Sequence, residues 1–244
     1  ELLSIYSNLG SLNHDFTNDG GELAADAELL SLGARSRGPA VGLRLLRDTT
    51  AQTGRPDRGG VQTFKLLRYY EQEEGLGDFW HLRGSLEQFI GLWNSDQTLA
   101  LRGVMSWIDP GNDEPVAFTR LLATENPDRL RGYAAGRWRD RGLALASAEY
   151  RWPLWAHRHV GGLGLDGLLF ADLGQVFPYL DQLGEDLRAG WGGGLRLVGA
   201  DGSFGASLEV AWSEEGGRFS LQFEQAFQAR KGGIFHGREA SILH

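Results

Sequence analysis

Apolar and polar residues alternate one by one along much of this chain. In the stretch 219–227, apolar side chains stand at Phe219, Leu221, Phe223 and Phe227, and polar or small ones at Ser220, Gln222, Glu224 and Ala226. A period of two marks a β-strand with one apolar and one polar face. The pattern recurs upstream. Leu187, Ala189, Trp191, Leu195 and Leu197 oppose Arg188, Gly190, Gly192, Gly194 and Arg196, and Leu208, Val210 and Trp212 oppose Glu209, Ala211 and Ser213. Read this way, the chain predicts about eleven strands, near 2–12, 22–32, 40–49, 61–72, 79–93, 97–107, 143–153, 161–175, 187–199, 206–213 and 218–227. The faces of 40–49 and 61–72 are less clean, and Phe64 beside Lys65, Leu66 and Leu67 reads as a β-bulge. Between 108 and 142 the alternation stops in a long segment rich in Pro, Gly, Asp and Asn, a length usually functional or disordered.

The charges decide between architectures. Arg188, Arg196, Glu209, Glu224, Glu149 and Asp172 all lie opposite an apolar stripe. If the apolar stripe faced an ordinary core, the charges would coat a soluble antiparallel sandwich or barrel. If it faces lipid, the charges line a lumen that is wet or plugged, because unpaired buried charges are costly. Strands of about ten residues with aromatics near their ends suit a tilted membrane crossing. The second reading is the stronger: an all-β, transmembrane antiparallel β-barrel.

Composition agrees with it. The chain of 244 residues carries 36 Gly, 7 Pro, 8 Trp, 6 Tyr and 12 Phe, enough aromatics for girdles at two interfaces. It has no Cys, which excludes disulfides and thiolate metal sites. A net charge of -8 argues against nucleic-acid binding. No apolar run reaches about 18 residues, so no transmembrane helix is expected. Glu1 opens directly into strand-like sequence, with nothing like a signal peptide, and reads as the start of a mature form or a fragment.

Several short patterns tempt a chemical reading. Gly162, Gly164 and Gly167 match G-x-G-x-x-G, but a strand follows where a nucleotide fold needs a helix. The segment 15–20 echoes a calcium loop, yet Thr17 and Asp26 stand where better ligands belong, and Asn18-Asp19-Gly20-Gly21 is hairpin chemistry. His157 and His159 could share a strand face but lack an evident third ligand. No nucleophile elbow, zinc-helix or Walker motif is present, and no carboxylate pair stands out. The expectation is a protein without catalytic residues, cofactor or metal.

Four further pieces occur in order. They are Leu130-Arg131-Gly132-Tyr133, Glu149-Tyr150-Arg151-Trp152-Pro153-Leu154, Leu168-Leu169-Phe170-Ala171-Asp172-Leu173-Gly174-Gln175-Val176, and a final strand pair ending at Phe227. Together they resemble the C-terminal barrel of the BamA/TamA superfamily of outer-membrane assembly factors, the bacterial surface antigen family. The first piece resembles the family's (V/L)RG(F/Y) motif on a loop that folds into the barrel, and Phe170, Asp172 and Gly174 resemble its F-x-D-x-G strand. The resemblance covers 128–227; residues 1–127 fit by strand pattern alone.

The resemblance implies a barrel over 1–227, with 108–142 as the inward-folding loop and 228–244 as a tail. It implies that Arg131, Gly132 and Tyr133 hold the loop inside, and that lumen carboxylates of Glu149 and Asp172 pair with Arg131. It implies that Phe227 is the terminal aromatic read during assembly, although the 17 residues after it depart from the family pattern. Family barrels have about sixteen strands, so this chain is either part of such a barrel or a short relative of about twelve strands. The implied setting is the bacterial outer membrane, with lipids, unfolded client proteins, and accessory lipoproteins or upstream POTRA domains as partners. The implied function is insertion or export of other outer-membrane proteins through a lateral seam. The alternatives are a passive pore or scaffold, or an anchor for a fused passenger domain.

Overall fold

The computed structural model describes residues 2–12, 36–50, 56–92, 97–111, 114–125, 127–156, 163–199 and 205–224. Ten long strands form one antiparallel meander: β1 (Leu2–Leu12), β2 (Ser36–Asp48), β3 (Gly59–Tyr69), β4 (Phe79–Leu92), β5 (Gln97–Pro110), β8 (Gly142–Ala156), β9 (Leu163–Phe177), β10 (Arg188–Gly199), β11 (Gly205–Ser213) and β12 (Gly216–Glu224). Two two-residue strands, β6 (Leu122–Ala123) and β7 (Arg139–Asp140), pair with each other inside the long connection between β5 and β8. Each long strand pairs with its sequence neighbours. Among the described residues β1 pairs only with β2, and β12 only with β11. No described helix is long and apolar enough to cross a membrane.

The alternation sorts as the charges demanded. Leu82, Leu86 and Ile90 of β4, Leu169 and Leu173 of β9, Trp191 and Leu195 of β10, and Leu208, Val210 and Trp212 of β11 are all exposed on the outer face. On the inner face of the same strands His81, Asp172, Ser207 and Glu209 are buried. An outside of Leu, Ile, Val and Trp around a polar inside is the inverse of a soluble protein and the arrangement of a membrane barrel wall.

The segment 111–141 fills the concave side as a strap. It contains a 3₁₀ turn, Phe118–Arg120, and the short β6–β7 pair. Two apolar clusters fix it to the wall. Val116 packs with Ala40, Leu67, Tyr69, Phe79 and Ile108, and Leu130 and Tyr133 pack with Val104, Leu143 and Leu145. This explains the unclean faces of β2 and β3: inward Leu67 and Tyr69 face the apolar strap rather than water.

Three expectations on element limits change. The predicted bulge at Phe64 is absent, since β3 pairs with both neighbours in unbroken register, with Phe64 outward and Lys65 inward. The register shift lies in β8, between Pro153 and Trp155, where proline cannot donate to the ladder. The irregular segment is shorter than expected because β5 runs on to Pro110. The predicted strand at 22–32, the calcium-like loop at 15–20, His157, His159, Phe227 and the tail 228–244 lie outside the described residues. Residues 163–167 of the glycine-rich pattern belong to β9.

Candidate functional site in the lumen

Register places the wall half of the site before any strap residue arrives. Across β8 and β9, Ser147 stands opposite Asp172 and Glu149 opposite Phe170. Across β9 and β10, Asp172 faces Gly190. Across β11 and β12, Glu209 faces Ser220. All point inward by alternation, so two rows of acceptors line one side of the lumen, separated by glycine.

The strap brings Arg131 into them. Its Nε donates to Asp172 Oδ2 at 2.6 Å and its Nη2 to Asp172 Oδ1 at 2.7 Å, a two-pronged contact. Its Nη1 donates to Glu149 Oε2 at 2.9 Å and its Nη2 also to Ser147 Oγ at 2.9 Å. Its backbone N–H reaches Asp172 Oδ2 at 3.2 Å, and Glu209 Oε1 lies 3.8 Å from Nη1. The guanidinium carbon sits 3.6 Å from the centre of the Phe170 ring, a cation–π contact in a dry site. Arg151 donates to the other oxygen of Glu149 at 2.5 Å, and Arg129 pairs with Glu209. Three guanidinium groups (Arg129, Arg131, Arg151) therefore meet three carboxylates (Glu149, Asp172, Glu209). A neutral, fully bonded network is the form in which buried charge is tolerated. Burial works against the charge on Arg131, but Asp172 and Glu149 outweigh it and hold the guanidinium charged more firmly than usual.

Small residues set the approach. Gly132 adopts φ +94°, and a Cβ there would stand 2.8 Å from Trp212 O; only glycine enters that region cheaply. A Cβ on Gly190 would lie 1.8 Å from Arg131 O, so the strap backbone rests directly on β10. Gly174 leaves a floor for Leu130, whose Cδ1 would be 3.6 Å from a Cβ there. The Tyr133 hydroxyl donates to Ala189 O at 3.2 Å, and its ring meets Trp138 edge-on at 4.7 Å.

The structure thus brings together Arg131, Gly132, Tyr133, Glu149, Asp172, Phe170 and Gly174. Sequence reasoning missed a second knot. Asp128 receives Arg83 Nη1 at 2.5 Å and Nη2 at 2.9 Å from β4, and Arg102 Nη2 at 2.6 Å from β5. Arg102 also donates to Pro127 O at 2.9 Å. It missed Arg129 and Ser220 too, and read Glu209 only as a lumen charge. The available signal was parity: Arg83 and Arg102 oppose apolar stripes, as Glu149 and Asp172 do.

Asp128 gives the strap a defined response to acid. Burial alone would raise its carboxyl, but Arg83 and Arg102 hold it below the usual range. A lowered value in the folded state contributes stability above the unfolded aspartate value of about 3.9 and loses it as pH falls through the lower folded value. The strap is therefore expected to resist protease at pH 7 and at pH 5 alike. Its resistance should fall only below about pH 4. Cleavage within 111–141 that rises between pH 7 and pH 5 would contradict this tether.

Among the described residues no cluster of three or more His, Asp or Glu is placed to hold a metal ion, and Asp128, Glu149, Asp172 and Glu209 each bond guanidinium groups.

Comparison with known proteins places this geometry. The model of the Omp85 superfamily domain matches residues 13–231. Direct comparison with curated proteins gives no match. Among solved structures, BamA from Haemophilus ducreyi, crystallised without POTRA domains 1–3, is similar with a TM-score of 0.60 and 14% identity, over 78% of this chain and 43% of that one. The present chain thus spans less than half of that BamA chain, and at this identity the likeness concerns the fold.

Proposed function

Because the chain belongs to the Omp85 superfamily, we propose that it forms a bacterial outer-membrane barrel wall that inserts or exports other outer-membrane proteins. It does so by offering a sheet edge rather than by chemical catalysis. The carrying observation is the combination of a lipid-compatible outer face with a plugged interior. Outward Trp191, Trp212, Phe219, Leu221 and Phe223 suit hydrocarbon and interface. The strap occupies the lumen, held by two charge knots and two apolar clusters. That filling counts against a passive pore, whose lumen must stay open to water.

The edge supplies the mechanism. β12 has no partner on its far side among the described residues. Unpaired strand edges recruit further strands by backbone hydrogen bonding. In lipid every peptide N–H and C=O must be satisfied, so an edge within the membrane offers an incoming strand a large advantage. Clients on this reading are unfolded outer-membrane proteins, with accessory lipoproteins or POTRA domains as helpers.

The test is reconstitution of the full natural protein into lipid vesicles, followed by addition of an unfolded outer-membrane barrel protein. Client folding is expected to run faster than in protein-free vesicles. Unchanged folding rates together with ion conductance through the vesicles would replace this reading with that of a pore.

A further inference from the structure

We propose that Arg129 is a latch that holds the hairpin β11–β12 against the strap, so that its release lets β12 swing away from the wall. Two residues before the motif arginine, Arg129 turns the other way. Its Nη1 donates to Ser220 Oγ at 3.0 Å, and its Nη2 to Glu209 Oε2. Glu209 and Ser220 are direct cross-strand partners on β11 and β12. One planar guanidinium thus bonds both strands of the hairpin at the same level.

The kind of bonding separates this hairpin from the rest of the wall. The two apolar clusters that fasten the strap draw wall residues from β2, β3, β4, β5 and β8, with Val176 of β9 packed against the second. Neither contains a residue of β11 or β12. Ala211 of β11 packs with Leu168 and Phe170 of β9, wall against wall. What ties the hairpin to the strap is polar: Arg129 to Glu209 and Ser220, Arg131 to Glu209 at 3.8 Å, Ser213 Oγ to Gly132 O at 2.8 Å, and Arg137 to Glu215 at 3.1 Å. β12 itself is joined to the strap through the Arg129–Ser220 bond. Apolar burial resists release over the whole contact, whereas a hydrogen-bonded contact breaks at one place and re-forms there. Arg129 is 20% exposed against 9% for Arg131, so water can replace its partners.

The latch deepens the edge-based reading, because it names the bond that governs the edge, but it can be tested apart from that reading. The chain has no cysteine, which gives a clean background for spin labels. One label pair is placed at Leu86→Cys on β4 and Leu221→Cys on β12, and a control pair at Leu86→Cys and Leu173→Cys on β9; all three positions face outward and are exposed. Ser220→Ala removes the bond to β12 while leaving the Arg129–Glu209 pair, so folding is preserved. Arg129→Ala combined with Glu209→Gln removes the latch without stranding a carboxylate. In nanodiscs both variants are expected to broaden the β4–β12 distance distribution, the double variant more than Ser220→Ala, because the backbone ladders of β11 with β10 and β12 remain. The β4–β9 distance should stay unchanged.

A parent-like β4–β12 distribution in both variants overturns the latch. Equal broadening in both label pairs overturns it as well, because it means loosening of the whole wall. A broadened β4–β12 distribution with unaltered client folding upholds the latch and counts instead against the edge as the place where clients dock.

Discussion

Replacing Arg131 with alanine is expected to undock the strap while leaving the wall strands paired. The substitution removes the two-pronged bond to Asp172, the bond to Glu149 and the contact on Phe170. The Asp172 side chain, 1% exposed, would keep only Ser147 as a side-chain donor among the contacts described. Stranding a buried charge in this way costs about 3–5 kcal/mol. The ladders of β8 with β9 and of β9 with β10 do not involve the guanidinium, so the strand signal in circular dichroism should change little. Protease cleavage within 111–141 should rise sharply. Arg131→Lys should recover part of the protection, since an ammonium keeps the charge but not the planar fork. Adding Asp172→Asn to the alanine variant should recover another part by removing the stranded charge. A strap in Arg131→Ala as protected as in the parent would remove Arg131 from the role given to it.

The second large effect is expected at a residue with no side chain. Gly190→Val would put a Cβ about where the Arg131 carbonyl oxygen lies, at 1.8 Å. Neither partner can yield cheaply, because one is strand backbone and the other is strap backbone beside the charge knot. Overpacking of this kind costs about 1–3 kcal/mol even where side chains can shift, and here the strap must lift. The same substitution at Gly84 is the control. It also lies in a wall strand, but a Cβ there meets nothing within 4 Å, and the cost should stay within about 0.5 kcal/mol. Melting temperature and strap proteolysis read both. Equal behaviour of the two variants would show that the close approach at Gly190 does not matter.

Much of this architecture was legible because a barrel wall is periodic. Strand limits for β1, β4, β10 and β11 fall within a residue or two of the pattern, and in β4, β10 and β11 the apolar stripe is exposed on the outer face. The pattern misled where a face met neither lipid nor water. Leu67 and Tyr69 looked irregular because their partners are strap residues far along the chain, and alternation carries no information about such contacts. The knot around Arg131 was legible through resemblance plus parity. The knot around Asp128 was not, because nothing local distinguishes a carboxylate that meets two distant arginines from a solvated one. Arg129 was hidden for the same reason, since which way a loop arginine turns is decided by the wall it meets.

The strap also bears on shape. Asp128 grips β4 and β5, and its chain neighbour Arg129 grips β11 and β12. One peptide unit, with a carboxylate on one side and a guanidinium on the other, therefore ties together parts of the sheet that lie four to six strands apart in its order. An open sheet ordinarily takes its curl from twist and bulges. This one carries a tie-rod as well: like an arch whose feet are chained, its radius is set by the length of the chain as much as by the curve of its stones. Spreading the wall would have to pull Asp128 off β4 and β5 or Arg129 off β11 and β12, so this one peptide unit braces the sheet against widening.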